Sequence, residues 1–453
     1  MESQVISADW LAHRIAATSA REVSTGLARL IDSGEVPAGA RLPTIRSLAA
    51  TLNAKVSTVT DAWVLLRHDG LVETSRRGGT RVIGPRERGS STAAATPFAG
   101  WAAVELIHAL PDVALVPPTA GIFAAAVDPG RAMDHTCVID RVLRSRLAES
   151  WPFPADSFAA LPSGYAALRM TVRAALAGRT GVVAAQTPGL LRTASVIREV
   201  SGRALAVDGD EQGPLPESLD RALRAGAEIF VYQPCGQVPL GVSLTPERRD
   251  ALADVIAGHG ARTLIVEEDA AAGLFRGATL GARFPERTVR ISQYWRAFGG
   301  DLAVTVVGGA PAVVDRLREE QRGSGVRVGG LLQSVLASLL ADRDAWARAA
   351  AAGEVYTRRH AALQRALRRR DLRVSSRGGL FAWIPVRGEL GAVADLAALG
   401  IRVVAGGNAW LEPDPEPHIR IATTRLPDDP NLVEDLAAAV ATVASGLALV
   451  DVE

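Results

Sequence analysis

Lysine is all but missing from this chain. Among 453 residues the 50 basic side chains are 49 arginines and a single lysine, Lys55. Arginine solvates a surface as well as lysine does, so what the scarcity excludes is chemical. Nothing after residue 55 offers a primary side-chain amine, and Schiff-base chemistry is closed to the rest of the sequence. Cysteine is nearly as scarce. Cys137 and Cys235 lie far apart without a His or Cys at ligand spacing, which excludes a disulfide framework and gives no zinc site. A buried thiol is the reading for each. An excess of either charge is lacking too. The 50 basic and 49 acidic residues leave a net charge of +1, so a wholly basic nucleic-acid coat is excluded and any DNA contact must be local. Apolar runs are broken by charge before about 18 residues, and no basic region followed by an apolar segment opens the chain. The sequence therefore reads as soluble and cytoplasmic, without a membrane span or signal peptide. The histidines are scattered, and none stands with an acid and a Ser or Cys in a nucleophile motif.

What is present is enough apolar content, 48%, to bury one large core and a smaller one, so two domains are expected. Residues 1–84 read as a small helical domain with a hairpin. Val23, Leu27, Leu30 and Ile31 form the apolar stripe of one helix, which the Gly/Pro-rich "SGEVPAGARLP" ends near Ser33. Thr44 is placed to cap a second helix with Ile45, Leu48, Ala49 and Leu52 inward. A third helix starts at Ser57, buries Val59, Ala62, Trp63 and Leu66, and stops at Gly70. "LVETSRRGGTRVIG" then alternates around Gly78-Gly79 as a hairpin, with Arg76, Arg77 and Arg81 at its tip and flank.

Helix, short turn, helix and basic hairpin make the winged form of the helix-turn-helix. Its second helix enters the major groove with N-terminal side chains toward base edges, and its hairpin follows the backbone. The stretch "SGEVPAGARLPTIRSLAATL…STVTDAWVLLRHDGLVETSRRGGTRV" resembles the GntR family of winged-helix regulators over roughly 60 residues in fixed order. The resemblance implies that Arg46 clamps a phosphate, that Ser57 and Thr58 start the reading helix, and that Arg76, Arg77 and Arg81 form the wing. Where such families usually place "VSR", this chain has Ala54-Lys55-Val56, so Lys55 is expected to supply the phosphate charge while the operator sequence stays open.

Residues 84–100, rich in Gly, Ser, Thr, Pro and Ala without periodicity, suit a flexible connector within a linker over 85–110. Beyond it, from 111 to 453, apolar runs such as "EIFVYQP", "TLIVEED" and "TVRISQ" alternate with helical stretches such as "PERRDALADVIAGHG". This is α/β rhythm, with strands buried on both faces and helices as crossovers. In order and spacing, "LPSGYAAL", "PCGQVPLG", "LIVEEDAAAGLF", "SQYWRAFGG", "GGLFAWIPV" and "HIRIATTRL" resemble the fold-type I aminotransferases. Joined to a GntR-like head, they resemble the MocR subgroup of regulators. The expected fold is therefore multidomain, a winged helix-turn-helix followed by an α/β aminotransferase-like domain.

Pyridoxal 5′-phosphate needs an amine, an acid at its ring nitrogen, a donor to its phenolic oxygen, an aromatic face and a phosphate cradle. On the family pattern the lysine falls at Arg296, whose guanidinium stays protonated and is no nucleophile. The asparagine falls at Val238, the tyrosine at Ala270, the stacking aromatic near Leu190 and the phosphate arginine near Ala303. The acid persists as Glu268 or Asp269, and Ser163 retains a hydroxyl. Arg420 occupies the place where the family's arginine forks onto a substrate carboxylate, with a buried ion pair as the other reading. Arg296 is expected to reach into the former cofactor cleft, where it pairs with Glu268 or Asp269 or binds an anion. These residues, Ser163, Glu268, Asp269, Arg296 and Arg420, are the candidate ligand site. The expectation is a homodimeric DNA-binding regulator without enzymatic activity, metal or pyridoxal phosphate, whose degenerate domain senses a carboxylate-bearing molecule. The alternative is non-covalent pyridoxal phosphate.

Overall fold

The computed structural model describes residues 5–15, 19–32, 35–37, 39–68, 71–75, 79–82, 104–127, 138–260, 263–411 and 416–444. They form two units. The first holds the residues up to Glu105 with Val386–Val403, and the second holds Leu106–Pro385 with Val404–Ala444. Two differences from the expected boundaries stand out. Residues 106–110 had been placed in the connector, yet Leu106 and Leu110 accept hydrogen bonds from Ala422 and Thr424 of the second unit. Residues 386–403 had been counted with the large domain, but cluster with the first unit.

In the first unit the helices Ala20–Asp32, Ile45–Thr51 and Val56–His68 bury the stripes their spacing implies. Val23, Leu27, Leu48, Val59, Ala62, Trp63 and Leu66 share one core, each large side chain contributing roughly 1.5–3 kcal/mol by leaving water. Thr44 caps its helix by accepting from the Ser47 N–H at 3.2 Å. A further helix, Ala8–Arg14, is capped by Ser7 and buries Leu11. It is too short to show a periodic stripe. The hairpin pairs Val72–Ser75 with Gly79–Val82 in antiparallel register, Val72 opposite Val82. Residues 39–42 add along it, with the Leu42 N–H donating to the Thr80 carbonyl and the Val82 N–H to that of Ala40. Buried Ala40 and Leu42 flank exposed Arg41, a two-residue alternation hidden in the sequence between Gly39 and Pro43.

The second unit is built on a seven-stranded sheet in the order Ser157–Leu161, Thr305–Gly309, Thr288–Gln293, Leu264–Asp269, Ile229–Tyr232, Val182–Gln186, Arg203–Val207. Only Thr305–Gly309 runs antiparallel to its neighbours. Six of these strands, all but the edge strand Arg203–Val207, are buried along nearly their whole length, as crossover helices on both faces require. The edge strand Ser157–Leu161 had not been anticipated from the sequence. A smaller antiparallel sheet joins Phe381–Pro385, His418–Ala422 and Val404–Ala405, with Arg420 opposite Trp383 and Val404. The functional consequence lies in strand polarity. Ala270 and Arg296 follow the carboxyl ends of adjacent parallel strands, where open α/β sheets bind ligands.

Candidate functional sites

The first site is the amino end of helix Val56–His68. Arg46, Lys55 and Ser57 are exposed and Thr58 is half-buried. The helix starts one residue earlier than expected. The Lys55 carbonyl accepts from the Thr58 N–H at 3.0 Å, so Lys55 stands at the helix entrance, where the macrodipole already favours an anion. Arg81 is half-buried on the hairpin, bridged in the sheet to Arg41, which sequence reading had passed over. Arg76 and Arg77 lie outside the described residues. The described residues thus offer exposed Arg46, Lys55 and Ser57 at or near the start of this helix, and Arg81 with Arg41 on the hairpin side.

The second site lies at the carboxyl ends of the central strands, and its pairing differs from expectation. Glu268 is buried, and its cation is Arg192, whose Nη2 donates to Oε1 at 2.9 Å while Thr193 Oγ1 donates to Oε2 at 2.8 Å. Both donors come from the first turn of helix Leu191–Val200. Asp269 is held by Arg290 at 2.7 Å. Arg296 pairs with neither acid, which corrects the expected ion pair. Instead its Nη1 donates to the Ala270 carbonyl at 2.6 Å, and its guanidinium lies over the Trp295 ring. Arg296 lies in the short helix Trp295–Phe298, which follows the strand Thr288–Gln293. Arg420 forms no ion pair among the described residues either. Its Nη2 donates to the Ile107 carbonyl at 3.2 Å, and its guanidinium lies over Phe381.

The electrostatics follow from this arrangement. Burial first, then the like charges of Arg192 and Arg420, pull Arg296 down to about 9 despite an opposing effect of Glu268. Burial and then Arg192 lower Arg420 to about 10. The Nε atoms of Arg192, Arg296 and Arg420 and the Nε2 of buried Gln293 make no hydrogen bond. Ser163 is exposed and caps helix Gly164–Ala175 by accepting from the Ala166 N–H at 3.2 Å. The Gln293 amide lies so close to Gly164 that a Cβ there would meet it at 2.5 Å. Leu190, Val238 and Ala270 are buried and apolar, while Ala303 is exposed. Arg192 and Thr193 stand in no stretch that carries the resemblance, and Gln293, the last residue of its strand, lies in one that points to Arg296 instead.

An aldimine requires a primary amine, and the second unit contains no lysine. The side chains here therefore do not fit covalently held pyridoxal phosphate. Among the described residues no cluster of His, Cys, Asp or Glu has the makings of a metal site, and no helix is long and apolar enough to cross a membrane.

The chain joins a winged helix-turn-helix to a larger unit with the aminotransferase fold. Residues 19–82 match the family of bacterial regulatory proteins described as gntR. The fold is similar to Pyrococcus horikoshii kynurenine aminotransferase, with a TM-score of 0.66 at 15% identity, covering 76% of this chain and 91% of that one. It is also similar to LysN, the alpha-aminoadipate aminotransferase of Thermus thermophilus, with a TM-score of 0.65 at 19% identity over 76% and 93%. A relative spanning both parts is the vitamin B6 salvage pathway transcriptional repressor PtsJ of Salmonella typhimurium, 26% identical over 428 residues, or 90% of this chain and 95% of that protein.

Proposed function

We propose that this protein is a transcription regulator that binds double-stranded DNA as a homodimer in the cytoplasm. Its aminotransferase-like domain dimerises and takes a carboxylate-bearing small molecule, without pyridoxal phosphate and without catalysing a reaction. The observation that carries this reading is the coexistence of a GntR-matched segment with Arg296 in the place that the aminotransferase resemblance gives to the lysine. DNA recognition rests on Arg46, Lys55 and Arg81, with Arg76 and Arg77 of the wing, for the phosphates, and on Ser57 and Thr58 for the bases. A single winged domain reads one half-site, so useful affinity calls for a two-fold pair. The name of the Salmonella relative favours repression as the sign of regulation. It also supplies the alternative, that a vitamin B6 compound binds non-covalently.

Binding of the full chain to its own promoter DNA tests this. Arg46→Ala should weaken binding across all sequences and reduce the salt slope by about one. Replacing Ser57 or Thr58 should alter sequence preference instead. An Arg46→Ala variant with unchanged affinity and slope would remove that residue from the interface, and a monomer by light scattering would sink the dimer. An absorbance scan with pyridoxal phosphate separates the alternative, since a free-aldehyde band retained by the protein and removed on dialysis would favour it.

A further inference from the structure

Several cations of the second unit are matched by carboxylates. Arg359 is held by Asp112 and Asp428, Arg169 by Glu199 and Arg179 by Glu228, and Arg290 by two carboxylates. The strand ends that carry Arg192 and Arg296 differ. Arg192 and Arg420 lower the proton affinity of Arg296, and Arg192 lowers that of Arg420, while the carboxylate that opposes this at Arg296 is Glu268. Both of its oxygens are already taken, by Arg192 and Thr193. Three positive charges against one negative leave an excess of two.

Neither buried guanidinium is satisfied by the protein. Each has five N–H donors in a rigid fork. Arg296 and Arg420 are 7% and 6% exposed, yet each makes a single hydrogen bond, to a backbone carbonyl, and leaves Nε without a partner. A buried charge without a counter-ion is among the most costly arrangements a fold can hold. Both planes are nevertheless fixed, Arg296 over Trp295 and Arg420 over Phe381, with the guanidinium carbon 4.1 and 4.3 Å from the ring centres. Fixed, desolvated forks with free donors are organised for bidentate anions.

We propose that Arg192, Arg296 and Arg420 form a binding site for a small organic dianion, two carboxylates on a short carbon frame. One carboxylate is forked by Arg420 and the other by Arg296, with Arg192 lending its free Nε while it stays anchored to Glu268. Buried, apolar Ala270, whose carbonyl Arg296 holds, and Leu190, directly before the helix that carries Arg192, are the apolar neighbours for the carbon frame. The Gln293 amide, at the start of helix Gly164–Ala175, adds a neutral donor. The inference deepens the effector reading above and rests on it only for the biological role, since ligand binding to the free protein is measured apart from DNA affinity.

The test is calorimetry and thermal melting of the full chain, without DNA, against malonate, succinate and glutarate as dicarboxylates, butyrate as monocarboxylate, inorganic phosphate, and pyridoxal 5′-phosphate. At least one dicarboxylate should bind and raise the melting temperature, more tightly than butyrate by roughly tenfold or more, as a second charge-assisted fork implies. Arg296→Met and Arg420→Met should each weaken it by a similar factor, and Arg46→Ala should leave it unchanged. Should a methionine variant fold poorly, Arg296→Gln keeps the test open with a neutral side chain of similar length. The proposal is overturned if no dicarboxylate binds at about 10 mM, a hundredfold above a Kd of about 0.1 mM. It is equally overturned if binding survives both substitutions unchanged, or if only phosphate or pyridoxal phosphate binds. Promoter affinity with and without the dicarboxylate then decides the sensing role separately.

Discussion

Arg290 and Arg296 lie six positions apart, are buried to nearly the same degree, 8% and 7% exposed, and live in opposite electrostatic worlds. Arg290, inside a strand, divides its fork between Glu267 at 2.8 Å and Asp269 at 2.7 Å. Glu267 is further held by Tyr232 at 2.6 Å, Thr279 at 2.7 Å and the Leu280 N–H at 2.9 Å. Burial works against its charge, but the two carboxylates outweigh it and raise its proton affinity well above the ordinary arginine value. Arg296, just beyond the next turn of chain, has one carbonyl and two like-charged neighbours, and its proton affinity falls. Equal burial therefore carries no functional message by itself. The count of counter-ions separates the two: Arg290 is saturated by carboxylates and Arg296 is not.

Stability measurements can break this comparison. The largest effect should come from Arg290→Met, which strands two buried carboxylates and should cost about 3–5 kcal/mol in denaturant unfolding. Arg192→Met should cost less, roughly 1–3 kcal/mol, because it removes one charged donor from buried Glu268 while Thr193 remains. Arg296→Met should be neutral or stabilising by about 1 kcal/mol, since it replaces an uncompensated charge with apolar volume. A loss as large as that of Arg290→Met would mean that Arg296 has a structural partner and would remove the distinction.

The smallest effect is a pH dependence. The groups facing Arg296 are Arg192, Arg420 and Glu268. Its folded value of about 9 lies below the ordinary arginine value it regains on unfolding, so above about pH 9 the unfolded chain binds more protons and stability rises with pH through that window. Relative to Arg296→Met, the wild type should therefore gain on the order of 1 kcal/mol from pH 8 to pH 10. Added dicarboxylate should abolish that gain by holding the proton. A flat difference across the range would show that Arg296 is not strained by its neighbours.

The recognition helix and the cleft were unequally legible. Local rules decide the first: the 3.6-residue stripe through Val59, Ala62, Trp63 and Leu66 and the Thr44 cap each act within a few residues. The strand-like segment at 39–42 escaped because its partner, Thr80–Val82, is some forty positions away. In the cleft, the sequence alone determined that no amine serves the second unit and that an acid and two arginines stand where the aminotransferase pattern has functional groups. Which cation meets which acid was left to the tertiary structure. Arg192 reaches Glu268 across 76 positions, and Arg290 claims Asp269 from the adjacent parallel strand. Charge pairing depends on distances of a few ångströms between segments remote in the chain, and composition or spacing along one strand carries no record of them.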